Sequence, residues 1–502
     1  MKKLRCATLD AIEAKEVQVE AAFLRGLPGF SIVGLAQTSI QESKERIKSA
    51  LDSIGYSFAP LKITVNLSPS DLKKEGSHFD LPIALLIALW QKSVDFEDFF
   101  VFGELGLDGR VKDTASLFPV ILSLAKSGSL KRVLIPEDSK DKISKILGIE
   151  IYTVSHLQEA AEFFLNPSSR KKLKNKELDF KFVEADGEKF YYTDEYPLDF
   201  KEVRGQEIAK RASLIAAAGM HNILYEGSPG CGKSMCAKRL RYILPPMSLE
   251  EILENAKLSY LSGKDAEFSP VRSFRAPHHS STRASVFGGG SRSAKIGEVA
   301  LANNGILFFD ELPHFPKSVL ESLREPLEDH KVLISRVNTK VEYETKFLFA
   351  AAMNPCPCGN LLSSERECEC SDLEIKRYRS KLSSPLLDRI DIFVLMEEIS
   401  FEDKATVSSK EMFEAVKRAF LMQKSRGQKE FNGKLSDEEI KKHCKISKEN
   451  EEILSQAVKR FSLSQRSLNR VKKVARTIAD LRESENIERE DLLEALSYRM
   501  RV

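Results

Sequence analysis

Apolar and polar positions alternate along the first third of the chain in patterns that predict both strands and helices. Residues 63–67 form a short run typical of a buried strand, and Ser43 to Ile54 repeat apolar positions at helical spacing until Gly55 ends the pattern. Strand-like and helix-like segments of this kind continue to about residue 165. We therefore predict a mixed α+β N-terminal domain over residues 1–165.

The next stretch is polar, basic and without hydrophobic periodicity. It starts at Asn166 and Pro167 and continues through a run of lysines to Lys176. This composition is typical of a linker, which we place at residues 166–196. The alternative is the exposed end of a helix.

The remaining chain divides into an α/β region and a helical region. Apolar strands alternate with glycine turns and helical stretches over residues 197–400, which predicts a parallel α/β sheet. Helical patterns then dominate residues 401–502. Strands are predicted at residues 223–225, 306–309 and 347–351, and helices at residues 235–242, from 437 onwards and at residues 467–481.

The composition of the chain says little about its function. The chain has 502 residues, which indicates about two to four domains. Its net charge of +3 is the small difference between 77 basic and 74 acidic residues, so overall charge does not argue for nucleic acid. The N-terminus lacks the apolar run of a signal peptide, and Leu81–Trp90 is about half a membrane span. We expect a soluble, cytoplasmic protein without a membrane partner.

A glycine-rich segment carries the strongest chemical signal. Residues 227–234 fit the pattern G-x-x-x-x-G-K-[ST], between a predicted strand and a predicted helix, and comprise Gly227, Ser228, Pro229, Gly230, Cys231, Gly232, Lys233 and Ser234. Such a loop turns its backbone amides towards phosphate oxygens. Lys233 is predicted to neutralise the β- and γ-phosphates of ATP, and Ser234 to bind Mg²⁺.

Further polar residues lie at the ends of the predicted strands. Asp310 closes one strand and is predicted to orient Mg²⁺, and the adjacent Glu311 to polarise the attacking water. Asn354 follows the next strand, where it could hold that water. Arg389 is a candidate arginine finger that would act on a neighbouring subunit and so require a ring. The Asp310–Glu311 pair could instead cap a helix, and Asn354 or Arg389 alone could be structural.

Four of the eight cysteines are grouped within fifteen residues. Cys356 and Cys358 form one C-x-C pair, and Cys368 and Cys370 form another. Four thiolates can close a tetrahedral Zn²⁺ site. Metal-free thiols or a redox role are the alternatives, because the spacing within each pair is one residue rather than two.

Several motifs together resemble one family, the magnesium-chelatase-like AAA+ ATPases of the ComM/YifB type. The resemblance extends over nearly the whole chain. Its motifs are Arg25–Phe30, Asn66–Pro69, Lys74–Pro82, Gly205-Gln206, Arg275–His279, Asp310–Pro313, Asn354–Gly359 and Leu387–Asp391.

This resemblance implies an AAA+ P-loop core with a helical lid, preceded by an N-terminal domain of the ribosomal-protein-S5 and Lon-protease type. It implies homohexameric rings and a DNA helicase that drives branch migration in recombination or natural transformation. It also implies a second sensor arginine in the lid, for which Arg466 is the first choice and Arg470 the next. Lys473 occupies a neighbouring basic position and leaves that assignment open.

The Lon likeness raises the question of protease activity. Lon-type peptidases use a serine nucleophile and a lysine base. Residues 76–83 offer no matching serine, and residues 114–119 offer no lysine. We therefore do not predict a protease.

Two basic segments are candidates for DNA contact. Phe268–Gly297 contains five basic residues and no acidic residue, and Arg283 and Arg292 are its leading candidates. A second segment before the sensor strand carries Arg336 and Lys340. Clustered arginine beside flexible glycine suits a phosphate backbone. The alternatives are subunit interfaces, contacts to nucleotide or, for His278 and His279, a metal.

The functional prediction is an ATP-driven DNA motor that binds single-stranded and branched DNA. One alternative is an AAA+ remodeller of protein partners, for which Phe287 would be a pore aromatic. Another is a regulatory ATPase whose N-terminal domain binds a further protein.

Overall fold

The computed structural model describes residues 2–34, 38–56, 61–96, 98–289, 295–335, 340–400, 403–461 and 463–499. The chain forms two compact units, one of residues 1–179 with 263–266 and one of residues 180–262 with 267–502. None of the helices in the described ranges has the length and apolar character needed to cross a membrane.

The first unit is built on a seven-stranded mixed sheet. Its strands are β1 (Lys2–Asp10), β2 (Glu13–Leu24), β3 (Gly29–Val33), β4 (Lys62–Ser68), β5 (Phe99–Val101), β6 (Glu104–Leu105), β7 (Val111–Lys112), β8 (Arg132–Pro136) and β9 (Glu150–Val154). Its helices are α1 (Thr38–Ser53), α2 (Asp80–Ala88), α3 (Leu117–Lys126), α4 (Lys140–Ile143) and α5 (Leu157–Leu165). The sheet order is β3-β4-β2-β1-β5-β8-β9, and β6 pairs with β7.

The predicted elements of this unit are confirmed. The strand at residues 63–67 is β4, whose apolar positions Ile63, Val65 and Leu67 are buried. The amphipathic helix is α1, which begins five residues before Ser43. Alternation of apolar and polar residues decides these elements because each packs one face against a core.

The second unit contains a five-stranded parallel sheet. Its strands are β10 (Lys181–Ala185), β11 (Glu188–Tyr192), β12 (Ile223–Gly227), β13 (Met247–Ser248), β14 (Phe274–Arg275), β15 (Gly288–Gly289), β16 (Lys295–Ile296), β17 (Ile306–Phe309), β18 (Lys331–Ser335), β19 (Lys340–Glu344), β20 (Leu348–Met353) and β21 (Ile392–Met396). The parallel sheet has the order β14-β17-β20-β12-β21. This arrangement is consistent with an AAA+ core, and the strands predicted at residues 223–225, 306–309 and 347–351 lie in it.

Fourteen helices accompany these strands in the described part of the second unit. They are α6 (Glu207–Gly219), α7 (Lys233–Leu240), α8 (Leu249–Leu261), α9 (Arg283–Phe287), α10 (Glu298–Leu301), α11 (Lys317–Ser322), α12 (Arg324–Glu328), α13 (Asp372–Arg379), α14 (Ser384–Leu387), α15 (Ser409–Ser425), α16 (Asp437–His443), α17 (Lys448–Phe461), α18 (Gln465–Leu481) and α19 (Arg489–Ser497). The five C-terminal helices form the predicted helical region. Capping boxes at Ser408 and Ser436 fix the starts of α15 and α16.

The structure differs from the predicted linker at residues 166–196. Residues 181–192 form the hairpin β10-β11, and β11 pairs further with β13. Phe190 and Tyr191 are buried, so this aromatic segment packs as a strand. Upstream, the amide of Leu173 donates to the carbonyl of Ile151, which anchors the basic stretch on the first unit. The polar composition of residues 166–196 predicted neither the hairpin nor the backbone contact of Leu173.

A buried carboxylate joins the parallel sheet to the C-terminal helices. Asp391 accepts hydrogen bonds from the backbone amide of Asn222 and from Arg470, each at 2.8 Å. His221 lies 3.8 Å from the same carboxylate. Burial opposes the charged form, but Arg470 and His221 hold the pKa of Asp391 well below its usual range. The charge on Asp391 therefore stabilises the folded second unit.

We predict that Asp391→Asn lowers the free energy of unfolding of the second unit by about 3 kcal/mol at pH 7, because Arg470 loses its buried anion. An aspartate whose folded pKa is depressed contributes its stability above the unfolded pKa. The loss of unfolding free energy relative to wild type should thus be complete above about pH 4. It should shrink as the pH falls from there towards the lower pKa that Asp391 has in the folded protein.

Urea denaturation followed by circular dichroism would measure this change. The single tryptophan, Trp90, lies in the first unit, so its fluorescence provides an internal reference for that unit. Asp388→Asn, at an exposed position three residues earlier, should change stability by less than about 0.5 kcal/mol. Equal effects of the two substitutions would contradict the prediction.

Candidate nucleotide and metal sites

The glycine-rich segment lies at the carboxyl end of β12, as its pattern predicts. Gly227 ends the strand, residues 228–232 form the loop, and Lys233 begins α7. A Cβ at Gly227 would lie 2.7 Å from the carbonyl oxygen of Met396, so only glycine fits beside the neighbouring strand. We call residues 227–234 the phosphate loop.

The Lys233 side chain lies inside this loop. Its ammonium donates to the carbonyl oxygens of Gly227 at 2.6 Å and Ser228 at 2.8 Å, and burial lowers its pKa. The hydroxyl of Ser228 is buried and has no hydrogen-bond partner among the described residues. The interior of the loop thus holds a cation, as binding of a phosphate group requires.

The predicted magnesium ligands lie next to each other. The hydroxyl of Ser234 donates to Oδ2 of Asp310 at 2.8 Å. Asp310 follows β17 directly, and the other carboxylate oxygen accepts the backbone amide of Glu311 at 3.1 Å. A hydroxyl and a carboxylate are oxygen ligands of the kind that Mg²⁺ prefers. The donor set fits the metal.

Glu311 occupies an unusual backbone conformation and has a histidine partner. Its φ of 54° and ψ of 49° lie in the left-handed region, which non-glycine residues rarely adopt. Its carboxylate lies 3.5 Å from Nδ1 of His279. We considered His279 as a metal ligand from the sequence, whereas the structure pairs it with the predicted catalytic base.

Asn354 lies beside the phosphate loop. It follows β20, whose Met353 is the register partner of Glu226 in β12. Parallel pairing therefore brings Asn354 level with Gly227. Its side-chain amide lies 4.0 Å from the position of a Cβ on Gly359.

Arg389 does not lie at the phosphate loop of its own chain in the contacts that the structure describes. Only 8% of the residue is exposed. Its guanidinium donates to the carbonyl oxygens of Arg324 at 3.0 Å and Pro385 at 2.6 Å, and lies 3.2 Å from the carboxylate of Glu328. No sequence motif pointed to Glu328 as the partner of Arg389.

Two arginines of α18 converge on the carboxylate of Glu328. Arg466, with 67% of its side chain exposed, lies 3.7 Å from Glu328, and Arg470 lies 3.6 Å from it. Burial lowers the pKa of Lys473, and its ammonium lies 3.5 Å from the carbonyl oxygen of Gly433. Arg466 is therefore the more exposed of the two candidate sensor arginines, and it lies beside Arg389.

The four clustered cysteines form one group whose ligand atoms all lie within 4.8 Å of one another. The sulfur of Cys356 lies 3.4 Å from that of Cys358 and 3.7 Å from that of Cys368. Tetrahedral zinc with Zn–S bonds of about 2.3 Å separates its sulfurs by about 3.8 Å. The backbone amide of Asn360 helps lower the pKa of Cys358 to about 6. This group is compatible with a structural Zn²⁺.

The predicted DNA segments border a cleft of about 1080 Å³. Arg283, β15 and β18 line it together with Arg389 and Arg466. Arg283 is exposed and donates to the hydroxyl of Ser322 at 2.8 Å. Of the other candidates, Arg292 and Arg336 lie outside the described residues, and Lys340 is described only as the first residue of β19.

The basic character of this region is weaker than the sequence indicates. Arg272 is buried and bound to Glu251 at 3.0 Å, and Arg275 lies 4.0 Å from Glu298. The cleft itself also contains acidic residues contributed by α11, α12 and the position after them, namely Glu321, Glu325, Glu328 and Asp329. Distant segments supply these acids, so the local sequence did not reveal them.

Known families and proteins match the chain along almost its full length. The family described as "Magnesium chelatase, subunit ChlI" matches residues 199–404, "Subunit ChlI of Mg-chelatase" matches residues 19–139, and "Magnesium chelatase, subunit ChlI C-terminal" matches residues 406–499. The competence protein ComM of Haemophilus influenzae is 36% identical over 98% of this chain and 96% of its own length.

Two further relatives match this chain over very different lengths. The uncharacterized protein YifB of Escherichia coli is 35% identical over 97% of this chain and 95% of its own length. The DNA repair protein RadA of Aquifex aeolicus is 37% identical over 84 residues, which are 16% of this chain and 18% of its own length. The full-length matches and the family matches agree: the chain belongs to the magnesium-chelatase-like AAA+ family, as a protein of the ComM/YifB type.

Proposed function

We propose that this protein is an ATP-driven DNA motor that works as a ring of identical subunits, a helicase that promotes branch migration in recombination or natural transformation. One observation carries the proposal: Arg283 and the strands β15 and β18 line the same cleft as Arg389 and Arg466. Elements suited to gripping a phosphate backbone thus adjoin arginines suited to sensing a neighbour's nucleotide. The relatives named as a competence protein and a DNA repair protein support this direction.

The proposed hydrolysis uses residues at the carboxyl edge of the parallel sheet. Lys233, which now donates to carbonyl oxygens of the loop, would bind phosphate oxygens of ATP, and Ser234 and Asp310 would hold Mg²⁺. The bound metal neutralises phosphate charge. Glu311 accepts a proton from the attacking water, and Asn354 orients that water.

Arg389 and Arg466 are proposed to act on the neighbouring subunit. They lie together at Glu328, and the described contacts of neither include the phosphate loop of the same chain. Release of Arg389 from Glu328 would present its guanidinium to the neighbour's phosphates, where it stabilises the spreading negative charge.

We also propose domain roles for the chain. Residues 1–165 form an S5/Lon-like domain, residues 197–400 the AAA+ core and residues 401–502 the lid. The hairpin at residues 181–192 is assigned to the second unit, in place of part of the linker. The cysteine group is proposed to hold a structural Zn²⁺.

Remodelling of protein partners is the second candidate. Its sequence support was Phe287 as a pore aromatic, but Phe287 is buried at the end of α9. Phe287 and the exposed Leu333 both line the cleft, and these apolar residues favour this second function. Stimulation of ATP hydrolysis by unfolded protein, measured beside stimulation by DNA, separates the two functions.

We predict that Lys233→Ala abolishes ATP binding, because the phosphate charge loses its buried cation. Glu311→Gln should bind ATP and hydrolyse it at least ~100-fold more slowly, the scale of losing a positioned base. Fluorescent-nucleotide titration and phosphate release measure the two steps. Glu449→Gln, the same change on the exposed surface of α17, is the control. Normal turnover by Glu311→Gln would remove this residue from the mechanism.

We predict that Arg389→Ala keeps ATP binding and loses hydrolysis, since the binding loop is intact while the neighbour's site lacks its arginine. Mixing it with Lys233→Ala subunits should restore part of the turnover, because in mixed rings some intact loops adjoin intact arginines. Size-exclusion chromatography verifies the rings. Mixed rings that never recover turnover would contradict action between subunits.

We predict that Arg283→Ala weakens DNA binding and DNA-stimulated hydrolysis but leaves basal hydrolysis unchanged. Each lost phosphate contact should lower the slope of log affinity against log salt by about 1. Fluorescence anisotropy with single-stranded and branched DNA measures this, and the matched control is Arg418→Ala on α15. Unchanged DNA binding by Arg283→Ala would contradict the cleft assignment.

A further inference from the structure

The loop that carries the four cysteines contacts the phosphate loop without an intervening side chain. We call residues 355–371 the cysteine loop. Gly359, one residue after Cys358, has a φ of +86°. A Cβ there would lie 2.7 Å from both Cδ and Cγ of Pro229, which belongs to the phosphate loop. The backbone of the cysteine loop therefore packs directly on the proline ring.

An arginine makes a second connection between the two loops. Arg379, at the end of α13, pairs with Glu226 at 2.9 Å. Its Nε donates to the carbonyl oxygen of Pro355 at 3.4 Å. Glu226 immediately precedes the phosphate loop and Pro355 immediately precedes Cys356. Arg379 thus ties the start of the cysteine loop to the start of the phosphate loop.

The predicted water-orienting residue belongs to the same assembly. The hydroxyl of Tyr378, the neighbour of Arg379 in α13, lies near the backbone of Asn354, and burial raises the pKa of Tyr378 to about 12. Asn354 in turn lies beside Gly359. Any movement of the cysteine loop or of α13 would therefore reach Asn354 as well as Pro229.

The cysteine loop has no apolar core of its own. Within the cysteine loop, which the structure describes completely, Pro355, Cys356 and Gly359 are buried and every other residue is exposed or half-buried. Leu361 and Leu362 are among the exposed residues. A segment that buries so little apolar surface needs another source of stability, and metal binding by four thiolates supplies one. The conformation that presents Gly359 to Pro229 should therefore depend on the metal.

We propose that Zn²⁺ in the cysteine group and nucleotide in the phosphate loop are coupled, with Gly359 and Arg379 as the positioning residues that connect them. The zinc-loaded cysteine loop holds the phosphate loop and Asn354 in the conformation that binds nucleotide. Because coupling between two ligands is reciprocal, bound nucleotide must also retain the zinc. This inference rests on the proposed nucleotide site and metal, but not on any action on DNA.

The first experiment measures nucleotide affinity at two zinc loadings. Full-length protein is titrated with a fluorescent ADP analogue, before and after zinc is removed with a zinc-selective chelator in excess Mg²⁺. We expect about one zinc per chain and at least ~5-fold weaker binding after its removal, the lower end of typical coupling. Equal affinities would overturn the inference.

The second experiment measures the reciprocal effect. Zinc release into a chromogenic chelator is timed with and without ADP and Mg²⁺, and ADP should slow it several-fold in the wild type. Lys233→Ala, which lacks the phosphate-binding cation, should show no such effect and so excludes direct competition by ADP for the metal. Release that ADP leaves unchanged in the wild type would overturn the inference.

A pair of glycine variants tests the contact itself. Gly359→Ala and Gly427→Ala each add a methyl group where φ is positive, but only the first methyl group meets another residue within 4 Å. Gly359→Ala should weaken ADP binding, and Gly427→Ala should not. If Gly359→Ala retains zinc and binds ADP as Gly427→Ala does, Gly359 does not connect the sites. Arg379→Lys, which can keep the ion pair with Glu226, should bind ADP better than Arg379→Ala.

The outcomes distinguish this inference from the proposed function. Zinc-loaded wild type that binds no nucleotide would overturn both. Protein that binds nucleotide but contains no zinc would overturn both the coupling and the proposed zinc site. Equal nucleotide binding with and without zinc would overturn the coupling alone, and either result leaves the ATP-driven motor in place.

Discussion

Parallel pairing of β12 with β20 and β21 determines where the polar groups of the candidate nucleotide site lie. The register sets Glu226 opposite Met353 on one side and Leu395 on the other, so the chain leaves all three strands at one level. The phosphate loop, Asn354 and the contact of Gly227 with Met396 follow from that level. One strand further, β17 delivers Asp310 to within 2.8 Å of Ser234. A shift of one residue in this register would separate these groups.

The residues of the site that could be predicted are those identified by a short motif or by their position directly after a strand. Lys233 and Ser234 are specified by a short pattern, and Asp310 and Asn354 by their positions after apolar strands. Each of these signals lies within a few residues of the group it identifies. The same holds for the four cysteines, whose spacing alone indicated a common site.

The parts that could not be predicted depend on contacts between distant segments. Arg389 and Glu328 are 61 residues apart, and the sequence around either residue does not predict that they pair. Likewise, Arg272 is basic in sequence, but its guanidinium is occupied by Glu251 and by carbonyl oxygens of residues 245, 246 and 304. Counting charges along a segment overstates the positive surface when buried partners come from elsewhere.

The left-handed backbone of Glu311 has a consequence for how this sequence can change. A side chain in that region costs about 1 kcal/mol or more relative to glycine, so the fold would be more stable with glycine there. Under selection for stability alone, mutation would therefore tend to replace Glu311 and remove its carboxylate. On the proposal that Glu311 is the catalytic base, a glutamate kept at this strained position in a set of descendants would mark hydrolysis still under selection. Glycine in its place would then mark a branch that has given up turnover while keeping the fold.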